Sequence, residues 1–226
     1  MDSYNDVMYC GGTSSDLDLI FLGKVLGNLF FHTMVTATIA YNNQNKRISQ
    51  KWAYVLASIF LVVILSYLPH NTGGKGNNVS FYTRFILFLL LAYVNGIVFS
   101  GVMRHIPDRE LKELFLQTII VFFSMLMMGY YFQKNKIDIT PIYYFALLFS
   151  VITTLSVIYY VFMDTSVKYK KNLRLGIVLL MSVYIIISTY TNLSKDYEKD
   201  VIFATLDYYT NIINIFANLS GNSTEI

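Results

Sequence analysis

Charge is scarce in this chain. Only 14% of its 226 residues are Asp, Glu, Lys or Arg, against about 25% in an ordinary soluble domain, which leaves too little solvated surface for a water-soluble globule. The few charges nearly balance, with 17 basic against 14 acidic residues and a net charge of +3. No block of like charge exceeds a few residues, so the basic footprint that nucleic acid requires is excluded. Cysteine is limited to Cys10, which rules out a disulfide framework, a CxxC pair and a Cys/His metal cluster. Histidine is limited to His32, His70 and His105. No HExxH, GxSxG, GxGxxG or P-loop pattern occurs. A soluble enzyme is set aside on these grounds, and neither catalysis nor a cofactor nor a metal is expected. Proline is limited to Pro69, Pro107 and Pro141, so long helices can run unbroken.

What the chain has instead is apolar length. Hydrophobic residues make up 55% of it and aromatic residues 16%, including 19 Tyr and 17 Phe; the mean hydropathy is +0.49. Tyr suits the level where lipid headgroups meet hydrocarbon, one end apolar and the other wet. A helix crossing about 30 Å of hydrocarbon needs roughly 20 mostly apolar residues. Such runs fall at Val25–Tyr41, Trp52–Leu68, Phe85–Met103, Leu114–Phe132, Pro141–Met163, Leu175–Tyr190 and Val201–Leu219. The stretches between them are short and hold almost all the charge. Pro141 sits at a span start, where its missing N–H does no harm, and the other two prolines lie in loops.

The expected fold is therefore all-α, a polytopic bundle of about seven transmembrane helices over residues 21–220. A polar tail precedes it (1–20) and a short one follows (221–226). The first 18 residues are polar and acidic, with Asp2, Asp6, Asp16 and Asp18. No cleaved signal peptide is expected there, and the first span would serve as its own insertion signal. The first, sixth and last spans are the shortest or most polar, and the last is open to a re-entrant reading.

Strict alternation places Lys24, Lys75, Arg84, Lys134, Lys136, Lys195 and Lys199 on the N-terminal side. The opposite side then collects Lys46, Arg47, Lys51, Arg104, Arg109, Lys112, Lys168, Lys170, Lys171 and Arg174. The positive-inside tendency favours an N-terminus away from the cytoplasm. Sequons at Asn78, Asn192, Asn218 and Asn222 fall on both sides and decide nothing.

Polar residues inside spans are costly unless they face the bundle interior. Lys24, Asn28, His32 and Thr36 recur every four residues and share one helical face. Interhelical hydrogen bonding accounts for such a stripe; lining an aqueous path is the functional alternative, with His32 as its proton-responsive member. Asn95, Gly96, Ser100 and Gly101 read as a close helix contact. In the last span, VIFATLDYYTNIINIFANL, residues Asp207, Asn211, Asn214 and Asn218 follow 4–3–4 spacing on one face. Asp207 is the one carboxylate placed inside a span. An ionised Asp at a bilayer centre costs on the order of 2.5–3.5 kcal/mol, so it needs water, a donor or a proton, unless it lies near enough to the interface to stay hydrated.

Three stretches resemble the Bax inhibitor family, especially its Lifeguard and Golgi anti-apoptotic branch. In FLGKVLGNLFFHTMVTATIAY (21–41), Phe21, Lys24, Val25 and Thr36 match the opening span, with His32 where the family has Gln and Leu26 where it has Tyr. FQKNKIDIT (132–140) is similar to the loop after the family's fourth span. In the last span, Ala204, Leu206, Tyr209, Ile212, Ile213, Asn214 and Phe216 match the closing motif.

The resemblance implies a seven-helix protein of endoplasmic reticulum or Golgi membranes. It implies suppression of apoptosis through a leak of calcium or other cations, gated by two carboxylates that share protons. It also implies a cytoplasmic N-terminus, against the charge count. The chain departs from the family at both carboxylate positions. Asn211 stands where the closing motif has Asp, Asp207 stands one turn earlier where it has Asn, and Ser188–Thr189 occupy the sixth-span Asp-Thr. The expected ion-path or gating residues are thus Asp207, Asn211, Ser188, Thr189 and His32, with one carboxylate in place of a dyad. The lipid bilayer is the expected surrounding and calcium or another cation the permeant ion. The alternative is a non-conducting relative that binds cell-death regulators or family members. A short chain so diverged is what a virus-encoded copy would look like.

Overall fold

The computed structural model describes residues 14–44, 59, 81–163, 165–194 and 200–223, and among them six long α-helices carry the architecture. They are α1 (Ser14–Asn43), α2 (Phe81–Met103), α3 (Asp108–Lys134), α4 (Thr140–Phe162), α5 (Val167–Ser194) and α6 (Val201–Ser223). Six of the seven spans expected from sequence coincide with these helices. The remaining one, Trp52–Leu68, lies outside the described residues.

Local chemistry sets the helix ends. Pro107 precedes α3, Asp108 and Glu110 occupy its first turn and Lys134 its last, each favourable to the helix dipole. Its C-terminus closes in a Schellman turn: the N–H of Ile137 bonds to the carbonyl of Phe132 at 2.9 Å and that of Lys136 to Gln133 at 3.0 Å. Lys136 supplies the left-handed residue, with φ 52°, a place that usually takes glycine. Pro141 opens α4. Asp200 caps α6, its Oδ1 accepting the N–H groups of Ile202 at 2.9 Å and Phe203 at 3.1 Å, two donors a bare helix would leave unpaired.

α1 and α2 run parallel. The His32 ring stacks on Phe88, the Thr36 hydroxyl lies 3.1 Å from the Ala92 carbonyl, and Arg104 Nε donates to the Gln44 carbonyl at 2.8 Å. α1 therefore leaves the bundle at the end opposite to that at which α2 enters. From α2 onward the helices alternate in direction. α6 occupies the centre, against α1, α2, α3 and α5, while α4 packs mainly on α5 and keeps Tyr144, Leu148, Leu155 and Phe162 exposed. The core around α6 is built from Val25, Leu29, Phe88, Leu91, Phe122, Leu126, Ile185, Ile202 and Ile215.

Two glycines let backbones approach. A β-carbon on Gly96 would stand 2.6 Å from Ile39 Cβ and 2.8 Å from the Thr36 carbonyl oxygen, and one on Gly129 would stand 2.7 Å from the Ile186 carbonyl oxygen. Lipid offers helices no hydrophobic reason to associate, so close packing of this kind holds them together.

Among the described residues, five helices are long and apolar enough to cross a membrane, α1 to α5. α6 is more polar than these five, and the expected span Trp52–Leu68 lies outside the described residues, so a polytopic helical bundle stands with five apolar spans described. The polarity of α6 follows from its position: with other helices on several sides, it has little circumference facing lipid and can carry Asp, Asn and Thr. The re-entrant reading of this segment does not describe it. Its 23 residues form one continuous helix, about 34 Å at 1.5 Å per residue. It begins beside Arg84, near the start of α2, and ends beside Arg174, near the start of α5.

Candidate functional site

Successive residues of a helix point about 100° apart, so the neighbours Tyr208 and Tyr209 of α6 reach different partners. Both are buried, at 1% and 0% exposure. The Tyr209 hydroxyl lies 2.6 Å from Thr36 Oγ1 on α1 and accepts from Asn95 Nδ2 on α2 at 3.3 Å. Tyr208 donates to Thr189 Oγ1 on α5 at 2.9 Å, and Thr189 in turn donates to the Ile185 carbonyl at 2.7 Å. One turn earlier, Thr205 donates to the Val201 carbonyl at 2.6 Å and accepts from Asn28 Nδ2 at 3.3 Å. Three helices, α1, α2 and α5, thus meet α6 through hydroxyl and amide groups in the bundle interior. Buried polar groups of this kind cost energy alone and order the structure when paired.

The opening stripe divides. Lys24 is exposed, Asn28 half-buried, and His32 and Thr36 buried. His32 sits in an aromatic box, stacked on Phe88 at 3.8 Å and edge-on to Phe31 and Phe85. Its Nδ1 lies 2.8 Å from the Asn28 carbonyl oxygen, which places the ring proton on that nitrogen.

The closing stripe divides too. Asn211 is buried, Asp207 and Asn218 are half-buried, and Asn214 is exposed. Asn211 Nδ2 lies 3.5 Å from Asp207 Oδ1, at the limit of a hydrogen bond, and Asn218 Nδ2 donates to the Asn214 carbonyl at 2.8 Å. The 4–3–4 face is therefore not uniformly interior: it is closed at Asn211 and open at Asn214. Ser188 and Thr189 are both buried on α5. The structure joins Thr189 to Tyr208, Asp207 to Asn211, and His32 to the aromatic side chains of α1 and α2.

Sequence reasoning missed Tyr208, Tyr209 and Thr205 as interior polar groups, and missed the ion pair between Arg84 on α2 and Asp200 at the start of α6.

Long apolar helices packed round a polar central one define a multi-pass α-helical membrane protein. The family model described as inhibitor of apoptosis-promoting Bax1 matches residues 20–220, and the chain belongs to the Bax inhibitor family. No match was found among curated proteins.

Proposed function

We propose that this chain suppresses apoptosis from endoplasmic reticulum or Golgi membranes by modulating the leak of calcium or other cations from internal stores. The observation that carries the reading is the position of Asp207. It stands on the central helix, half-buried, with the buried amide of Asn211 one turn further on. A carboxylate retained at that depth implies work with ions or protons. Asp207 attracts or gates the ion, and Asn211 and Ser188 offer polar surface beside it. Thr189 orients Tyr208, and His32 braces α1 against α2. The protein catalyses no reaction in this reading.

Reconstitution in liposomes containing a calcium-sensitive dye tests it. Flux above empty liposomes that falls in Asp207→Asn supports an ion path beside α6. A folded protein without flux overturns it.

A second reading has an observation of its own. The interior beside α6 is filled by Tyr208 and Tyr209, both hydrogen-bonded. A bundle so filled suits a non-conducting relative that binds cell-death regulators or family members. In that case Asp207→Asn leaves protection of cells intact.

A further inference from the structure

A cavity unconnected with the carboxylate lies between α1 and α3. Its floor is Ile212 and Phe216 of α6; its lip is Phe30 and Met34 of α1 and Ile119 and Phe123 of α3, all four exposed. At about 190 Å³ it far exceeds the water-sized voids of a packed interior, so it has room for a guest. Three lining residues carry hydroxyls, and each hydroxyl is already engaged. Thr33 donates to the Leu29 carbonyl at 2.8 Å, Thr118 to the Leu114 carbonyl at 2.9 Å, and Thr36 meets Tyr209 at 2.6 Å. A buried water needs two to four polar partners, and an ion needs ligands. This lining offers neither, and hydrocarbon is the occupant that fits.

The cavity continues towards the end of the bundle where α2 stops and α3 begins. Ala37, Met103, Phe115 and Ile119 line both it and a second hollow, whose other walls include Tyr41 and Lys112. Lys112 is exposed and pairs with no carboxylate among the described residues, whereas Arg109 beside it is paired with Glu113. An apolar slot with an ammonium at its headgroup end matches one kind of molecule: hydrocarbon along the slot, negative charge at its mouth.

We propose that α1 and α3 hold one anionic phospholipid, with an acyl chain over Ile212 and Phe216 and the phosphate on Lys112. The bound chain then rests directly on α6, the helix that carries Asp207. The site stands whether or not the protein conducts ions.

Native mass spectrometry of the full chain in mild detergent, supplied with equal phosphatidylglycerol and phosphatidylcholine, tests the assignment. One phosphatidylglycerol per chain is expected, preferred about fivefold, the contribution of one basic residue at headgroup level. Lys112→Gln removes the preference while the zwitterionic lipid is still retained. Ala37→Trp fills the slot where the two hollows join and abolishes retention of both lipids. A wild type that keeps no lipid, or keeps a free fatty acid instead, overturns the proposal. So does a preference that survives Lys112→Gln. Because Lys112 is exposed, that variant folds whatever becomes of Ala37→Trp.

Discussion

The hydroxyls of Tyr209 and Thr36 lie 2.6 Å apart, and through them the closing helix of the chain is fastened to the opening one across 173 residues of sequence. Tyr209→Phe removes this bond and leaves the Asn95 amide without its phenol acceptor. A buried polar group stripped of its partner costs about 1–3 kcal/mol. Unfolding in mixed micelles is expected to show a loss in that range. The double variant with Thr36→Val is expected to lose less than the sum of the two singles, by about 0.5–1.5 kcal/mol of coupling. Strict additivity would mean that the two hydroxyls do not interact.

Gly129 and Gly27 make a matched pair of opposite sign. A β-carbon at Gly129 meets backbone of α5, while at Gly27 nothing lies within 4 Å. Gly129→Ala is expected to destabilise by about 1–3 kcal/mol, as overpacking does. Gly27→Ala is expected to stabilise by up to about 1 kcal/mol, since alanine is the better helix former. Thermal denaturation of both in one detergent checks the contrast.

At Lys136 the backbone holds a left-handed conformation, φ 52°, which costs an L-residue about 1–2 kcal/mol. Lys136→Gly is expected to raise stability by about 1 kcal/mol, part of the relief being offset by the freer unfolded chain. An unchanged or lowered melting temperature would show that the Lys side chain contributes more than the strain takes away.

The pH profile of the proposed leak distinguishes one carboxylate from two. With Asp207 as the sole acid on its face, flux is expected to follow a single-proton transition, and Asp207→Asn to flatten the curve. Liposome flux measured across pH reads this directly. A two-proton slope in the wild type means that a second titrating group lies on the path.

The helices were legible because an apolar run cannot be concealed in a sequence. Their ends were less so. The expected span Leu114–Phe132 lies inside a helix running Asp108–Lys134, because the search for hydrocarbon-compatible residues stops at Arg109 and Glu113, whereas the helix continues into the headgroup level, where such residues are welcome. The expected span Leu175–Tyr190 is extended likewise to Val167–Ser194. Interior polar groups were legible in part. The four-residue spacing of Asn28, His32 and Thr36 identified side chains that do turn inward. Tyr208 and Tyr209 were not legible, because Tyr in a membrane chain reads as an interfacial residue until the neighbours of its helix are known. Those neighbours lie far away in sequence, and no local pattern encodes them.

Asp200 at the head of α6 is paired with Arg84, and Arg174 donates to the Gly221 carbonyl at its foot. A rod pinned at both ends behaves as an axle. It can turn or bow, but a slide of one turn, about 5.4 Å, breaks both anchors together. A piston stroke of the central helix is thus opposed at both ends, and α4, which packs mainly on α5, is the helix least tied to that axis.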